Sequence, residues 1–176
     1  MIVTADKPLS DFEIYQEFHG YNLYNVYGRT TPEIRALVVD LWSRNKILSR
    51  DTDPDARAAQ VGLMAVSAAG ELVGVNTIYV GQLDSCGMED PTGAHYFFYR
   101  MFIQSKDRRP EMMRVMTNGA YDLLKMIERS NKPKGMVIVA ENLKLSRPGM
   151  QKMFAGYGYS VIGKDSSNRL IICRNF

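Results

Sequence analysis

The sequence predicts an α/β (α+β) chain in which a mixed sheet is covered by helices. Segments with strand and helix patterns alternate along its 176 residues, in the order strand, helix, hairpin, long central strand, helix, strand, helix, hairpin. The central strand at 96–103 is apolar at nearly every residue, which is typical of a strand covered on both faces. Helices that alternate with strands in this way pack on a sheet and cover it.

The N-terminal part of the chain predicts two helices and a strand. Ser10 and Glu13 have the spacing of a capping box, which predicts a short helix near 11–18. Residues 22–27 alternate and are rich in tyrosine, as strands are. The second helix is predicted at 31–48 because this segment opens on a threonine, a proline and a glutamate, and its apolar residues recur at helical spacing.

A hairpin and a long loop come next. The apolar segments 61–67 and 71–80 are separated by Ala-Ala-Gly and predict two antiparallel strands. Gly74 lies inside the second strand, which indicates a bulge or a close approach of another backbone. The loop at 81–94 contains three glycines, one proline and three acids, and loops of this length are often functional.

The second half predicts two helices and three strands. A helix begins at Pro110, and one apolar stripe runs along it. A short buried strand follows at 136–140. The remaining predicted elements are a helix at 148–155 and strands at 159–163 and 170–174.

Composition and charge describe an ordinary folded protein with an uneven charge distribution. The chain is 45% hydrophobic and 23% charged, with a net charge of +3. Residues 1–99 carry 7 Lys/Arg and 13 Asp/Glu, whereas residues 100–176 carry 15 and 6. The basic half is either a solvated surface or the part that meets a phosphorylated cofactor or a nucleic acid.

Length and cysteine content bound the class of protein further. We expect one domain over 1–176, with 1–21 as an N-terminal extension. There is no apolar run of transmembrane length and no basic-then-apolar leader, so no membrane association is expected. Cys86 and Cys173 are the only cysteines. They suggest neither a disulfide framework nor a metal site, and a cytoplasmic location is expected.

An anion site is predicted where the central strand leads into the helix at Pro110. The intervening loop carries Arg108 and Arg109, and Arg114 follows in the helix. Unpaired N–H groups of the first helical turn and the positive end of the helix dipole favour anions, and the arginines add charge. We interpret this segment as a site for a phosphate group of a ligand.

The order of elements, with Glu71-Leu72-Val73-Gly74 on the hairpin and Asn142 followed by a helix and Gly158-Tyr159, resembles the GNAT superfamily of N-acyltransferases. The resemblance implies a mostly antiparallel sheet whose central strands, 95–104 and 136–141, splay apart around acetyl-CoA. The family's pyrophosphate loop corresponds here to Arg108, Glu111 and Met113, where the family's two small residues are absent. The implied cofactor-binding residues are Phe102, Ile103, Arg108, Arg109, Met112, Met113, Arg114, Asn142 and Phe154.

Four residues are candidates for catalysis. Arg100 interrupts the apolar central strand; as a buried arginine it requires either a structural ion pair or an anionic group of the substrate. His95, at the start of this strand, and Glu141, after the next strand, are candidate bases for an incoming amine. The alternatives are a polar strand end for His95 and a helix-capping or solvent-facing acid for Glu141. The family's thiolate-protonating tyrosine corresponds to Phe154, so Tyr157 nearby is either the candidate acid or a surface or packing tyrosine. Asn142 is predicted either to bind the pantetheine arm or to cap the next helix.

These observations favour an enzyme that transfers an acyl group, most simply acetyl, from acyl-CoA to an amine of a small molecule or a protein. Two alternatives stay open. One is a GNAT-like enzyme that modifies nucleic-acid bases or makes acyl-homoserine lactones, with nucleic acid bound by the basic half. The other is a non-catalytic binding module. A homodimer is compatible with the sequence.

Overall fold

Eight strands form one mixed sheet in the computed structural model, which describes residues 5, 7–128 and 130–176. The strand order is β1-β2-β3-β4-β5-β6-β8-β7. Of the strand pairs described, β5 and β6 are parallel and the others are antiparallel. The strands are β1 (Ile14–Phe18), β2 (Tyr21–Asn25), β3 (Val61–Ser67), β4 (Leu72–Gln82), β5 (His95–Ile103), β6 (Gly135–Val139), β7 (Ser160–Lys164) and β8 (Leu170–Asn175).

Among the residues that the structure describes, four α-helices accompany this sheet, so the predicted fold class is confirmed. They are α1 (Pro32–Arg44), α2 (Pro54–Ala58), α3 (Pro110–Lys125) and α4 (Pro148–Gly156), and two 3₁₀ turns span Leu83–Cys86 and Leu143–Ser146. No helix in the described ranges is long and apolar enough to cross a membrane.

The predicted helix near 11–18 is wrong, because this segment forms β1 and pairs with β2. Phe18 lies opposite Tyr21, so His19 and Gly20 alone form the turn. Both have positive φ, 45° and 82°, as a two-residue hairpin turn of the primed type requires. The Ser10 hydroxyl donates to the carbonyl of Lys7 instead of capping a helix.

The chain forms two compact units. The first comprises Met1–Thr77 and Met101–Ala120. Its α1 begins as predicted, since the Thr31 hydroxyl accepts from the N–H of Ile34 at 3.3 Å and Pro32 occupies the first turn. The buried face of α1 packs in one core with apolar residues of β3 and β4. The α1 residues in this core are Ile34, Leu37, Val38, Leu41 and Trp42.

The second unit comprises Ile78–Arg100 and Tyr121–Phe176. The loop before β5 supplies Leu83 to its core, which explains why part of this predicted loop is ordered as a 3₁₀ turn. The other buried members of this core come from strands β5, β6 and β8: Phe98, Val137, Ile171 and Cys173.

Candidate active site

The predicted site residues fall in both units. The first unit contains the loop and helix start predicted to bind phosphate. The second contains the paired residues of the parallel strands β5 and β6, with the candidate catalytic residues, and helix α4.

The loop between β5 and α3 begins with a buried glutamine. The Gln104 backbone N–H donates to the carbonyl of Val73 at 2.8 Å. Its side chain donates to the carbonyl of Leu72 at 3.2 Å. Gly74 lies nearby, where an added Cβ would come within 3.3 Å of the Phe102 carbonyl oxygen. The predicted close backbone approach at Gly74 is therefore confirmed, and it holds the start of the loop against β4.

Two charged contacts continue this attachment. Lys106 pairs with Glu71 at 2.8 Å, and this hydrogen bond lowers the pKa of Glu71 although burial opposes it. The Tyr21 hydroxyl donates to Asp107 Oδ1 at 2.8 Å, which raises the pKa of Tyr21. Asp107 is buried, and its Oδ2 has no hydrogen-bond partner among the described residues. The loop is thus held by side chains from two other segments of the unit.

The three arginines around the start of α3 differ in their contacts. Arg108 is exposed, but its guanidinium donates to the carbonyl of Ile103 at 2.9 Å. Arg109 and Arg114 are exposed, and their guanidinium groups have no hydrogen bond or ion pair to any residue that the structure describes. Pro110 is the first residue of α3. Arg109, Arg114 and the first-turn N–H groups of α3 are therefore the groups best able to receive a phosphate.

The apolar residues predicted for this site lie deeper. Met112 and Ile103 are buried, and Phe102 and Met113 are partly buried. Phe102 packs against the core of the first unit. Phe102 and Met113 are the two of this set with partly exposed side chains.

In the second unit, the pairing of β5 with β6 ends early. The described partners are Phe97–Met136, Phe98–Val137 and Tyr99–Ile138, although β5 continues to Ile103. Arg100 follows the last paired residue of β5, and its Nε lies 3.0 Å from Glu141 Oε1. The side chains of this ion pair are 42% and 47% exposed. The prediction that Arg100 is buried is wrong, because its side chain lies at the exposed end of the pairing, where Glu141 follows β6.

The two candidate bases are separated in this unit. His95 is exposed at the start of β5, where its carbonyl accepts from the N–H of Lys134 at 2.8 Å. Glu141 follows the other end of the parallel partner β6. The strand register puts them about seven residues, or roughly 20 Å, apart. His95 and Glu141 are therefore not brought together.

Asn142 caps the turn that follows it. Its Oδ1 accepts from the N–H of Lys144 at 2.9 Å. Of the two predicted roles, capping is the one that its hydrogen bond fulfils.

Comparison with known proteins supports the fold. No family model and no curated protein matches the sequence. Among solved structures, the ribosomal-protein-S5-alanine acetyltransferase from Vibrio fischeri has 11% identity and a TM-score of 0.56, with 92% of this chain and 95% of that one covered. A GCN5-related N-acetyltransferase from Kribbella flavida has 14% identity and a TM-score of 0.52, with 89% and 98% covered. Arabidopsis thaliana NAA60 in complex with acetyl-CoA has 8% identity and a TM-score of 0.54, with 87% and 95% covered. The chain has the GNAT fold.

The final helix of this GNAT fold carries the predicted Phe154 and Tyr157. Phe154 is buried, and its ring packs edge-on against Tyr157 and Tyr159 with centroids 6.5 and 5.8 Å away. Tyr157 is partly exposed at the C-terminal end of α4. Burial strongly raises the pKa of Tyr159, whose hydroxyl has no partner among the described residues. The catalytic role of Tyr157 and the cofactor-binding role of Phe154 stay predictions.

Tyr79 contacts the candidate residue Arg100 but was not itself among the predicted site residues. The Arg100 guanidinium carbon lies 5.6 Å from the centre of the Tyr79 ring. That ring stacks on Phe98, with centroids 5.1 Å apart. Burial raises the pKa of Tyr79. The chain has ten tyrosines, and no local pattern in the sequence indicates which of them contacts Arg100.

Proposed function

We propose that this protein transfers an acyl group, most simply acetyl, from acyl-coenzyme A to a primary amine. The observation that carries the proposal is the early end of the β5–β6 pairing within a GNAT fold, with charged side chains beyond it. Acetyltransferases are among the structures that share this fold, and NAA60 is one solved with acetyl-CoA. The coenzyme supplies a thioester, which is activated for attack by an amine.

The described residues fit the phosphates of coenzyme A in the first unit. Arg109 and Arg114 would pair with them, and the N–H groups at the start of α3 would donate to them. Glu111 is exposed and adds a negative charge to the same turn. Since Arg108 donates to Ile103, its part is to shape the loop.

Glu141 is the favoured base in the second unit. Its side chain is exposed and adjoins the end of the parallel pairing. A general base has to be accessible to the bound amine whose proton it receives. His95 belongs to the opposite end of the strand pair and is less suited to act on the same amine. Tyr157 is retained as the proposed proton donor to the leaving thiolate.

A binding module without turnover is the second candidate. It is favoured by Phe154, which has no ionisable hydroxyl and is buried between aromatic rings. Salt-sensitive binding of nucleic acid through the basic half is a separate proposal, supported by the excess of 15 Lys/Arg over 6 Asp/Glu in residues 100–176.

A transfer assay separates these candidates. The protein is incubated with acetyl-CoA and a pool of primary amines, and acetylated amines are detected by mass spectrometry. We expect product that depends on the protein and falls by about 100-fold or more in Glu141→Gln, as loss of a general base does. Binding of acetyl-CoA without any protein-dependent product would reject the enzyme and favour the binding module.

A further inference from the structure

The ion pair between Arg100 and Glu141 leaves several polar groups without a hydrogen-bond partner. Nε of Arg100 pairs with Oε1 of Glu141, whereas both terminal nitrogens of the guanidinium and Oε2 of the carboxylate make no hydrogen bond or ion pair with any third residue that the structure describes. The two side chains are 42% and 47% exposed. A donor edge and an acceptor oxygen are therefore available side by side at the end of the β5–β6 pairing.

Stability alone does not explain this pair. Ion pairs exposed to this extent contribute roughly 0–1 kcal/mol. Arg100 nevertheless follows a run of four aromatic residues, 96–99. An apolar side chain at position 100 would continue this pattern.

The guanidinium is also held in place before any ligand arrives. It lies over Tyr79, which is stacked on the buried Phe98. Contact with an aromatic face and an ion pair together restrict the side chain, so little conformational entropy is lost on binding. Such a pre-ordered arginine recognises planar anions, above all carboxylates.

We propose that the acceptor is an amine that also carries a carboxylate, the free α-amino acid being the simplest case. This inference rests on the proposed acyl transfer. The terminal nitrogens of Arg100 bind the acceptor's carboxylate, and Oε2 of Glu141 binds its ammonium group. The two charges of an α-amino acid are separated by one carbon, which suits two opposite protein charges in direct contact.

The same arrangement accounts for the transfer step. The ammonium group gives one proton to Glu141, and the nitrogen lone pair attacks the thioester carbonyl. A C–N bond forms and the C–S bond breaks, and the sulfur leaves with the bonding electrons. The nitrogen then loses its second proton, which the thiolate takes up, and Glu141 releases the first proton to solvent. No oxidant or further reactant is needed.

The test compares amino acids with their α-carboxamides, which keep the amine but lose the carboxylate charge. Binding of the twenty amino acids and their amides is measured by saturation-transfer NMR. We expect at least one amino acid to bind tenfold or more tightly than its amide. Arg100→Gln should abolish that preference and Arg100→Lys should retain part of it. Arg50→Gln removes the same charge from an exposed residue without described contacts, and it should change nothing.

Acetyl transfer is measured separately with the same pairs. Transfer to amides and acids at equal rates would overturn the proposed specificity and leave the acyltransferase intact. Carboxylate-dependent binding without transfer would reject the enzyme and keep the assigned recognition site. The inference is also overturned if no amino acid binds, or if Arg100→Gln binds them as the unmodified protein does.

Discussion

The Tyr21 hydroxyl donates to Asp107 Oδ1 at 2.8 Å, which joins β2 to the loop that leads into α3. Asp107 is buried, and its other oxygen has no partner among the described residues. This hydrogen bond is therefore the principal compensation for burying that carboxylate, and the position of the proposed phosphate-binding loop depends on it.

Tyr21→Phe is expected to destabilise the protein by about 1–3 kcal/mol, because a buried acceptor loses its hydrogen bond. Urea denaturation measures this free energy of unfolding. Tyr24→Phe is the matched control on the same strand, because the Tyr24 hydroxyl has no hydrogen-bond partner among the described residues. Equal effects of the two substitutions would show that the Tyr21–Asp107 bond does not stabilise the loop.

The contact between Lys106 and Glu71 predicts a pH dependence. The folded-state pKa of Glu71 is lowered by the hydrogen bond from Lys106, so the unfolded chain binds the proton more tightly. The stabilisation is fully present above the unfolded value of about 4.3 and is lost as the pH falls through the lower folded value. Glu71→Gln should cost up to about 1 kcal/mol near pH 6. The difference from the unmodified protein should shrink as the pH falls below about 4.3, and a difference that stayed constant there would contradict this explanation.

The thiol of Cys173, which is buried, and that of Cys86, which is partly buried, are expected to react slowly. Burial raises the pKa of Cys173 to about 11 and also raises that of Cys86, and the thiolate is the reactive form. In Cys86→Ser, iodoacetamide should modify Cys173 far more slowly at pH 8 than in the urea-unfolded protein. The rate should rise about tenfold per pH unit up to pH 10. Alkylation at equal rates in the folded and unfolded protein would contradict the assigned burial.

Two glycines should respond in opposite directions to alanine. A Cβ on Gly135 would lie 2.8 Å from Cα of Asn175 and even closer to the Arg174 carbonyl oxygen, and backbone atoms cannot move aside cheaply. Gly135→Ala is expected to lower stability by about 1–3 kcal/mol or more. Gly149→Ala, in α4 with open space around it, should raise stability by up to about 1 kcal/mol. Thermal denaturation of both variants decides whether β6 packs against β8 as closely as described.

The elements that the sequence predicted well have strong local signals. The helix that starts at Pro32 combines a capping hydroxyl, a proline and an apolar stripe, and β3 has the predicted bounds 61–67. β1 was missed because the capping-box spacing of Ser10 and Glu13 competed with a two-residue turn at His19 and Gly20. In the folded chain, pairing with β2 prevails over that local preference.

The site was predicted less completely, because its contacts join distant residues. Arg100 and its partner Glu141 were both among the candidates, but the exposure of Arg100 depends on where the β5–β6 pairing ends. The contact between Tyr79 and Arg100 spans 21 positions of the chain, and the Tyr21–Asp107 hydrogen bond spans 86. A single sequence carries no pattern that indicates such distant pairs.

The central claim is that the protein binds an acyl-coenzyme A through the start of α3 and uses it as a donor. Isothermal titration with acetyl-CoA, compared with acetyl-pantetheine, which lacks the nucleotide and its phosphates, tests this most directly. We expect saturable binding of acetyl-CoA at one site, weakened about tenfold or more for acetyl-pantetheine and reduced for acetyl-CoA in the Arg109→Gln, Arg114→Gln double variant. Absence of binding at millimolar acetyl-CoA would contradict it, and so would equal affinity for the two ligands.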